Sequence, residues 1–211
     1  MDNSLEVTEF VVRSIAEECL DNEKYFGDLD SVVGDGDFGY SLARGFEIVL
    51  AEWDETDRTD AGTFLSKIAM KITSRIGGTS GPLWGTAFLR AGSSLKGKDP
   101  ITGPDVVAAL RASVEGIKKR GNAELGDKTL LDSLVPAIDA LQESFERGED
   151  SQIALDHCAA AAREAADATS VLEARRGRAA YSGERSIGSV DAGAIAIAVL
   201  AERIARTWKD R

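Results

Sequence analysis

Along this chain the apolar side chains recur at intervals of three and four, the spacing of an amphipathic helix, while alternating β-branched runs are scarce. Val7, Val11, Ile15 and Cys19 share one helical face near the start, and Ile197, Leu200, Ile204 and Trp208 share one near the end. Capping and breaking residues divide what lies between. One helix covers about 39 to 53, and Thr59 or Asp60 caps another that runs to about residue 76. Pro82 suits the first turn of the next. Gly103 and Pro104 open a helix that closes on Lys118, Lys119 and Arg120, cations suited to the carboxyl end of a macrodipole. Segments from about 129 to 146 and from Ser151 to about 173 complete a set of eight helices.

The pattern predicts an all-α bundle or barrel, and the density of alanine lets its helices approach closely. The 211 residues suffice for one sizeable core, so a single domain over 1–211 is expected. Hydrophobic content of 43% and charged content of 29% are ordinary for a globular chain, and no apolar run reaches the roughly 20 residues that cross a bilayer. The opening MDNSLEVTEF is acidic and lacks a signal-type apolar stretch, so a cytoplasmic location is expected. A net charge of −11 excludes nonspecific binding to nucleic acid or anionic membrane. Cys19 and Cys158 fit small, reduced, buried thiols better than a disulfide framework.

Four connections carry the candidate chemistry: residues 27–41, 76–82, 121–130 and 174–193, each rich in glycine and polar groups. The first, DLDSVVGDGDFGYSLARGF, crowds Asp28, Asp30, Asp35 and Asp37 together. Three of these carboxylates can converge if the chain turns at Gly34 and Gly36, offering the hard oxygens that Mg²⁺ or Ca²⁺ prefers; a solvated acidic turn is the competing reading. No register satisfies an EF-hand. In RIGGTSGPLWGTAFLR, glycines precede a helix start whose N–H groups can receive phosphate oxygens, although it is neither a Walker A sequence nor a GxGxxG fingerprint. RGNAELGDKTLLDSLVPA places Asp127, Lys128 and Thr129 at a helix start, which also reads as a capped surface turn. Arg175, Arg176, Arg178 and Arg185 concentrate cations in an otherwise acidic chain, either to bind phosphate or to neutralise neighbouring carboxylates. The lone His157 lies in a helical pattern as a partly buried structural imidazole, and zinc ligands are too few.

Taken together, GDGDFG…RGF, GGTSGPLWGT, RGNAELGDKT and GRAAYSGERSIGSVDAGA resemble the nucleotide-binding L-type subunits of dihydroxyacetone kinases, in order and in spacing over nearly the whole chain. The resemblance implies a single-domain barrel of eight antiparallel helices that binds ADP or ATP at one end through two Mg²⁺ ions. It implies Asp30, Asp35 and Asp37 as metal ligands. Phe38, Gly39, Tyr40 and Ser41 would begin a helix against the phosphates, and Gly78, Thr79 and Ser80 would contact them through the glycine-rich turn. Gly121, Leu130 and Arg178 would border the nucleotide, and Asp191, Ala192 and Gly193 would complete its pocket, with no catalytic residue beyond these ligands.

The resemblance further implies a separate K-type subunit that holds dihydroxyacetone or a related short ketose. Bound ADP would be recharged by a phosphotransferase-system donor protein fed by phosphoenolpyruvate, a version to which a free-standing chain points. Direct use of ATP and a nucleotide-gated regulatory role are the alternatives, and a homodimer is compatible with all of them. The chain departs from the family pattern where it has Phe38 in place of a common histidine, and SLARGF in place of NMNRGF. Phenylalanine cannot hydrogen-bond, and Ser41 reaches less far than asparagine.

Overall fold

The computed structural model describes residues 3–78 and 80–211. Among the described residues there are nine α-helices and no strand. In chain order they are α1 (Ser4–Asp21), α2 (Glu23–Asp30), α3 (Phe38–Ala51), α4 (Ala61–Arg75), α5 (Ser80–Leu95), α6 (Gly103–Gly121), α7 (Leu131–Glu146), α8 (Ser151–Ala168) and α9 (Ala192–Thr207). Short 3-10 turns cover Thr169–Val171, Arg178–Ser186 and Trp208–Asp210.

Local chemistry explains most of the boundaries. The Asp60 carboxylate accepts from Thr63 N at 2.9 Å and starts α4, and Thr102 with Asp105 forms a capping box at α6. Asp150 caps α8 and Asp191 caps α9. The α8 helix stops short of the expected residue 173 because the buried Thr169 hydroxyl donates to Ala166 O and accepts from Asp191 N, drawing the chain into the turn that leads to α9.

Each helix packs on the next from α3 through α9, and α1 packs on both α3 and α9. Eight helices thus close a ring, with α2 as a ninth, short helix laid against α3. The expected count of eight omitted α2, because Gly27 reads as a loop residue. It sits inside α2, where a Cβ would lie 3.3 Å from Gly36 O, so glycine there permits a close backbone approach. Phe26, Leu42, Phe46, Phe64, Ile68 and Ile72 are fully buried in the larger apolar cluster; Val114, Ile117, Leu131 and Ile138 belong to a second, and Cys158 and Ile197 pack against both. At the α4–α5 crossing a Cβ on Gly62 would lie 2.5 Å from Gly92 O, which fixes glycine there and allows the two helices to touch.

Neither cysteine is in a disulfide; Cys19 is buried, and Cys158, partly buried, has its thiol pushed up to about 12 by desolvation. His157 is not partly buried as expected but 49% exposed by its side chain, with Nδ1 2.9 Å from Ser144 Oγ. Among the described residues no helix is long and apolar enough to cross a membrane. The topology has one functional consequence. In an up-and-down ring every second connection emerges at the same end, so the segments between α2 and α3, α4 and α5, α6 and α7, and α8 and α9 gather there.

A candidate nucleotide and metal site

The acidic segment is shaped by its own backbone. Asp30 ends α2, its carbonyl accepts from Gly34 N at 2.6 Å, and Gly36 takes a φ of +76°, reversing the chain toward α3. At Gly34 a Cβ would lie 2.3 Å from Asp30 Oδ1, so a side chain there would displace the carboxylate. Asp37 precedes α3 without making a side-chain capping bond, which leaves its carboxylate to the site. One oxygen from each of Asp30, Asp35 and Asp37 lies within 4.8 Å of the others. Partial desolvation, then the charges of Asp35 and Asp30, hold the Asp37 carboxyl above the usual carboxylate range. Three oxygen donors crowded at mutual cost fit a hard divalent cation.

Above them opens a cavity of about 240 Å³. Its wall divides between charged side chains, Asp30, Asp35, Asp37, Arg176 and Arg178, and apolar ones, Leu83, Trp84, Ile117, Ala123 and Leu130. Such a division suits a ligand with a flat apolar part and a polyanionic tail. Arg178 Nη1 lies 3.0 Å from Asp35 Oδ2, and Ser182 Oγ donates to Val33 O at 3.2 Å, so the arginine segment reaches across to the acidic one. At the cavity wall, desolvation is the chief cause raising the Asp191 carboxyl to about 7.

Of the residues expected to form the site, the cavity wall includes Asp30, Asp35, Asp37, Phe38, Ser41, Gly78, Ser80, Gly121, Leu130, Arg178, Asp191, Ala192 and Gly193. Gly39 and Tyr40 are not in it. Residues 38 and 41 share one face of α3, whereas 39 and 40 turn away at about 100° per residue. Gly39 faces α2, where a Cβ would lie 2.0 Å from Glu23 O, and Tyr40 is 58% exposed with Arg44 stacked 5.1 Å from its ring centroid. Thr79 lies outside the described residues. Phe38 packs its ring 6.1 Å from that of Phe26, an apolar contact in place of a polar one, while its N–H donates to Asp30 Oδ2 at 3.4 Å.

The wall also holds residues that the sequence does not single out or places differently. Arg176, one of the cationic cluster read as binding phosphate or neutralising carboxylates, lines the wall and pairs with Asp127 at 3.1 Å. Trp84 is 6% exposed, and its buried Nε1–H has no acceptor among the described residues. Lys128 reads as a surface turn residue but is 2% exposed. No sequence signal marks Trp84; the charged Asp-Lys pair next to Gly126 marked the position of Lys128 but not its burial.

The DAK2 domain model matches residues 32–206. The chain is 36% identical over 187 residues to the PEP-dependent dihydroxyacetone kinase, ADP-binding subunit DhaL, of Escherichia coli (strain K12), a match covering 89% of each chain. It is 38% identical over 192 residues to the L-erythrulose 1-kinase of Mycolicibacterium smegmatis, covering 90% of this chain and 33% of that one. Among solved structures, the dihydroxyacetone kinase from C. freundii in complex with AMP-PNP and Mg²⁺ superposes with a TM-score of 0.72 at 26% identity, over 97% of this chain. This chain spans about a third of the length of the latter two proteins. It is a member of the DAK2-domain family. Within that family it groups with the DhaL-type subunits, which it matches over most of their length.

Proposed function

We propose that this chain, as one domain over residues 1–211, holds ADP or ATP with two Mg²⁺ ions and passes a phosphoryl group to dihydroxyacetone or a related short ketose carried by a separate K-type subunit. By family it is a phosphotransferase component, its relatives being named ADP-binding subunits of dihydroxyacetone kinases. The observation that carries the reading is the Asp30, Asp35 and Asp37 triad in the wall of a cavity that is also lined by Arg176, Arg178 and apolar side chains. The solved relative named for its complex with AMP-PNP and Mg²⁺ supports it.

Asp30, Asp35 and Asp37 would hold the metal, which when bound screens charge between the polyphosphate and an incoming oxygen. Arg178 and Arg176 supply guanidinium donors to phosphate oxygens, and the amino-terminal N–H groups of α5 add fixed dipoles beside Gly78 and Ser80. Leu83, Ile117 and Leu130 offer an apolar seat for a base and keep water from it. His157 is not among the residues of the cavity wall, and Lys128, the lysine in that wall, donates to two backbone carbonyls. That arrangement supports binding of the sugar carbonyl on a partner.

The phosphoryl source follows the relatives. Similar subunits are named PEP-dependent in Escherichia coli and PTS-dependent in Lactococcus lactis, and we assign the same recharging of bound ADP here. The match to erythrulose kinases favours a second reading, direct use of ATP on a four-carbon ketose. ADP retained through prolonged dialysis supports recharging, whereas rapid nucleotide exchange supports direct ATP use. The division of labour is tested by incubating the chain with ATP, Mg²⁺ and dihydroxyacetone, first alone and then with a K-type subunit. Turnover is expected only in the second mixture, and turnover by the chain alone would overturn the proposal.

A further inference from the structure

We infer that Lys128 is a positioning residue: its buried ammonium clamps both ends of the arginine segment and thereby sets Arg178 over the acidic triad. The lysine occupies an unusual place. Its backbone has a φ of +62°, uncommon for a residue with a side chain, and it is 2% exposed. Burying an ammonium is costly unless its protons find acceptors. Here Nζ donates to Leu172 O at 3.0 Å and to Ser186 O, two carbonyls that bracket the stretch bearing Arg175, Arg176 and Arg178.

The neighbouring residue reinforces the clamp. Asp127 O accepts from Arg175 N at 3.0 Å, and its carboxylate pairs with Arg176. The segment is therefore fixed at its base by residues 127 and 128 and at its tip by two contacts on the acidic loop, Arg178 with Asp35 at 3.0 Å and Ser182 with Val33 O at 3.2 Å. Only the base is independent of what the acidic triad binds. A hydrocarbon at 128 would fill the space yet take the ammonium donor from both carbonyls, leaving Ser186 O with the Ser189 hydroxyl at 2.9 Å.

The clamp rests on the nucleotide reading for its consequence but not for its existence, and two measurements separate them. Hydrogen exchange on the nucleotide-free protein is expected to quicken about tenfold or more across residues 172–188 in Lys128→Met, with the other helices unchanged. ADP affinity in excess Mg²⁺ is expected to fall about tenfold in Lys128→Met, yet less than about twofold when the same change is made in an Arg178→Ala background, since coupled residues are non-additive. Unchanged exchange in the segment overturns the clamp, and equal losses of affinity in both backgrounds overturn its action through Arg178. If parent and variants alike bind no ADP, the nucleotide reading fails while the exchange result still decides the clamp. Should Lys128→Met not fold, Lys128→Gln serves instead, and failure of both to fold would place Lys128 in the structural core and overturn the positioning role.

Discussion

The Arg178 guanidinium lies 3.0 Å from the Asp35 carboxylate, so a proposed phosphate ligand pairs with a proposed metal ligand. Their side chains are 68% and 35% exposed, and at that exposure solvent screens most of the attraction. A weak internal pair of this kind is readily exchanged for stronger partners: a divalent cation for the carboxylate and a phosphate for the guanidinium.

The exchange has a measurable sign. Arg178→Ala removes a competitor for Asp35 and is expected to raise affinity for Mg²⁺ alone about two- to fivefold, an effect of surface-pair size. The same variant loses a charge-assisted phosphate contact and is expected to bind Mg·ADP about tenfold more weakly. Calorimetric titration of Mg²⁺ with and without ADP checks both, and changes in the same direction would contradict the exchange.

Gly39 supports the site through packing. An alanine Cβ there would lie 2.0 Å from Glu23 O and 2.6 Å from Gly27 N, forcing α2 off α3 and carrying Asp30 away from Asp35 and Asp37. Gly39→Ala is expected to destabilise the fold by about 1–3 kcal/mol, in the range of overpacked cores, and to weaken Mg·ADP binding. Urea unfolding measures the first effect and titration the second.

Asp191 supplies a pH dependence. Desolvation, with the charges of Asp132 and Asp30 adding to it, raises its carboxyl to about 7, against about 3.9 in an unfolded chain. Between those two values the folded state holds a proton that the unfolded state has lost, so stability falls as pH rises across the window and then levels off. Asp191→Asn retains a capping acceptor for α9 and removes the titration. Its gain in melting temperature over the parent is expected to be larger at about pH 8 than at about pH 5. A gain that is equal at both, or larger at low pH, would contradict the burial of this carboxyl.

Much of this architecture is legible in the sequence because its signals are local. Apolar spacing, the Asp60 cap, the Gly103-Pro104 opening and the start at Ser151 define most of the ring, and alternate connections rich in glycine mark the end that carries the candidate site. Where a residue's meaning depends on a distant backbone, reading fails. Gly27 looks like a breaker until α3 is laid beside it, and Lys128 looks exposed until the carbonyls of Leu172 and Ser186 are brought to it from 44 and 58 residues away. In the stretch 38–41, helical phase puts Phe38 and Ser41 in the cavity wall and turns Gly39 and Tyr40 aside, a division that only the placed helix shows.

The central claim is that Asp30, Asp35 and Asp37 act together to hold a metal-bound nucleotide. Isothermal titration of ADP into the folded chain at neutral pH, with Mg²⁺ and then with a chelator, tests it most directly, alongside Asp35→Asn. Saturable binding that requires Mg²⁺ and is lost or much weakened in the variant is the predicted result. Binding indifferent to the chelator, equal binding by the variant, or no heat from the parent protein would contradict it.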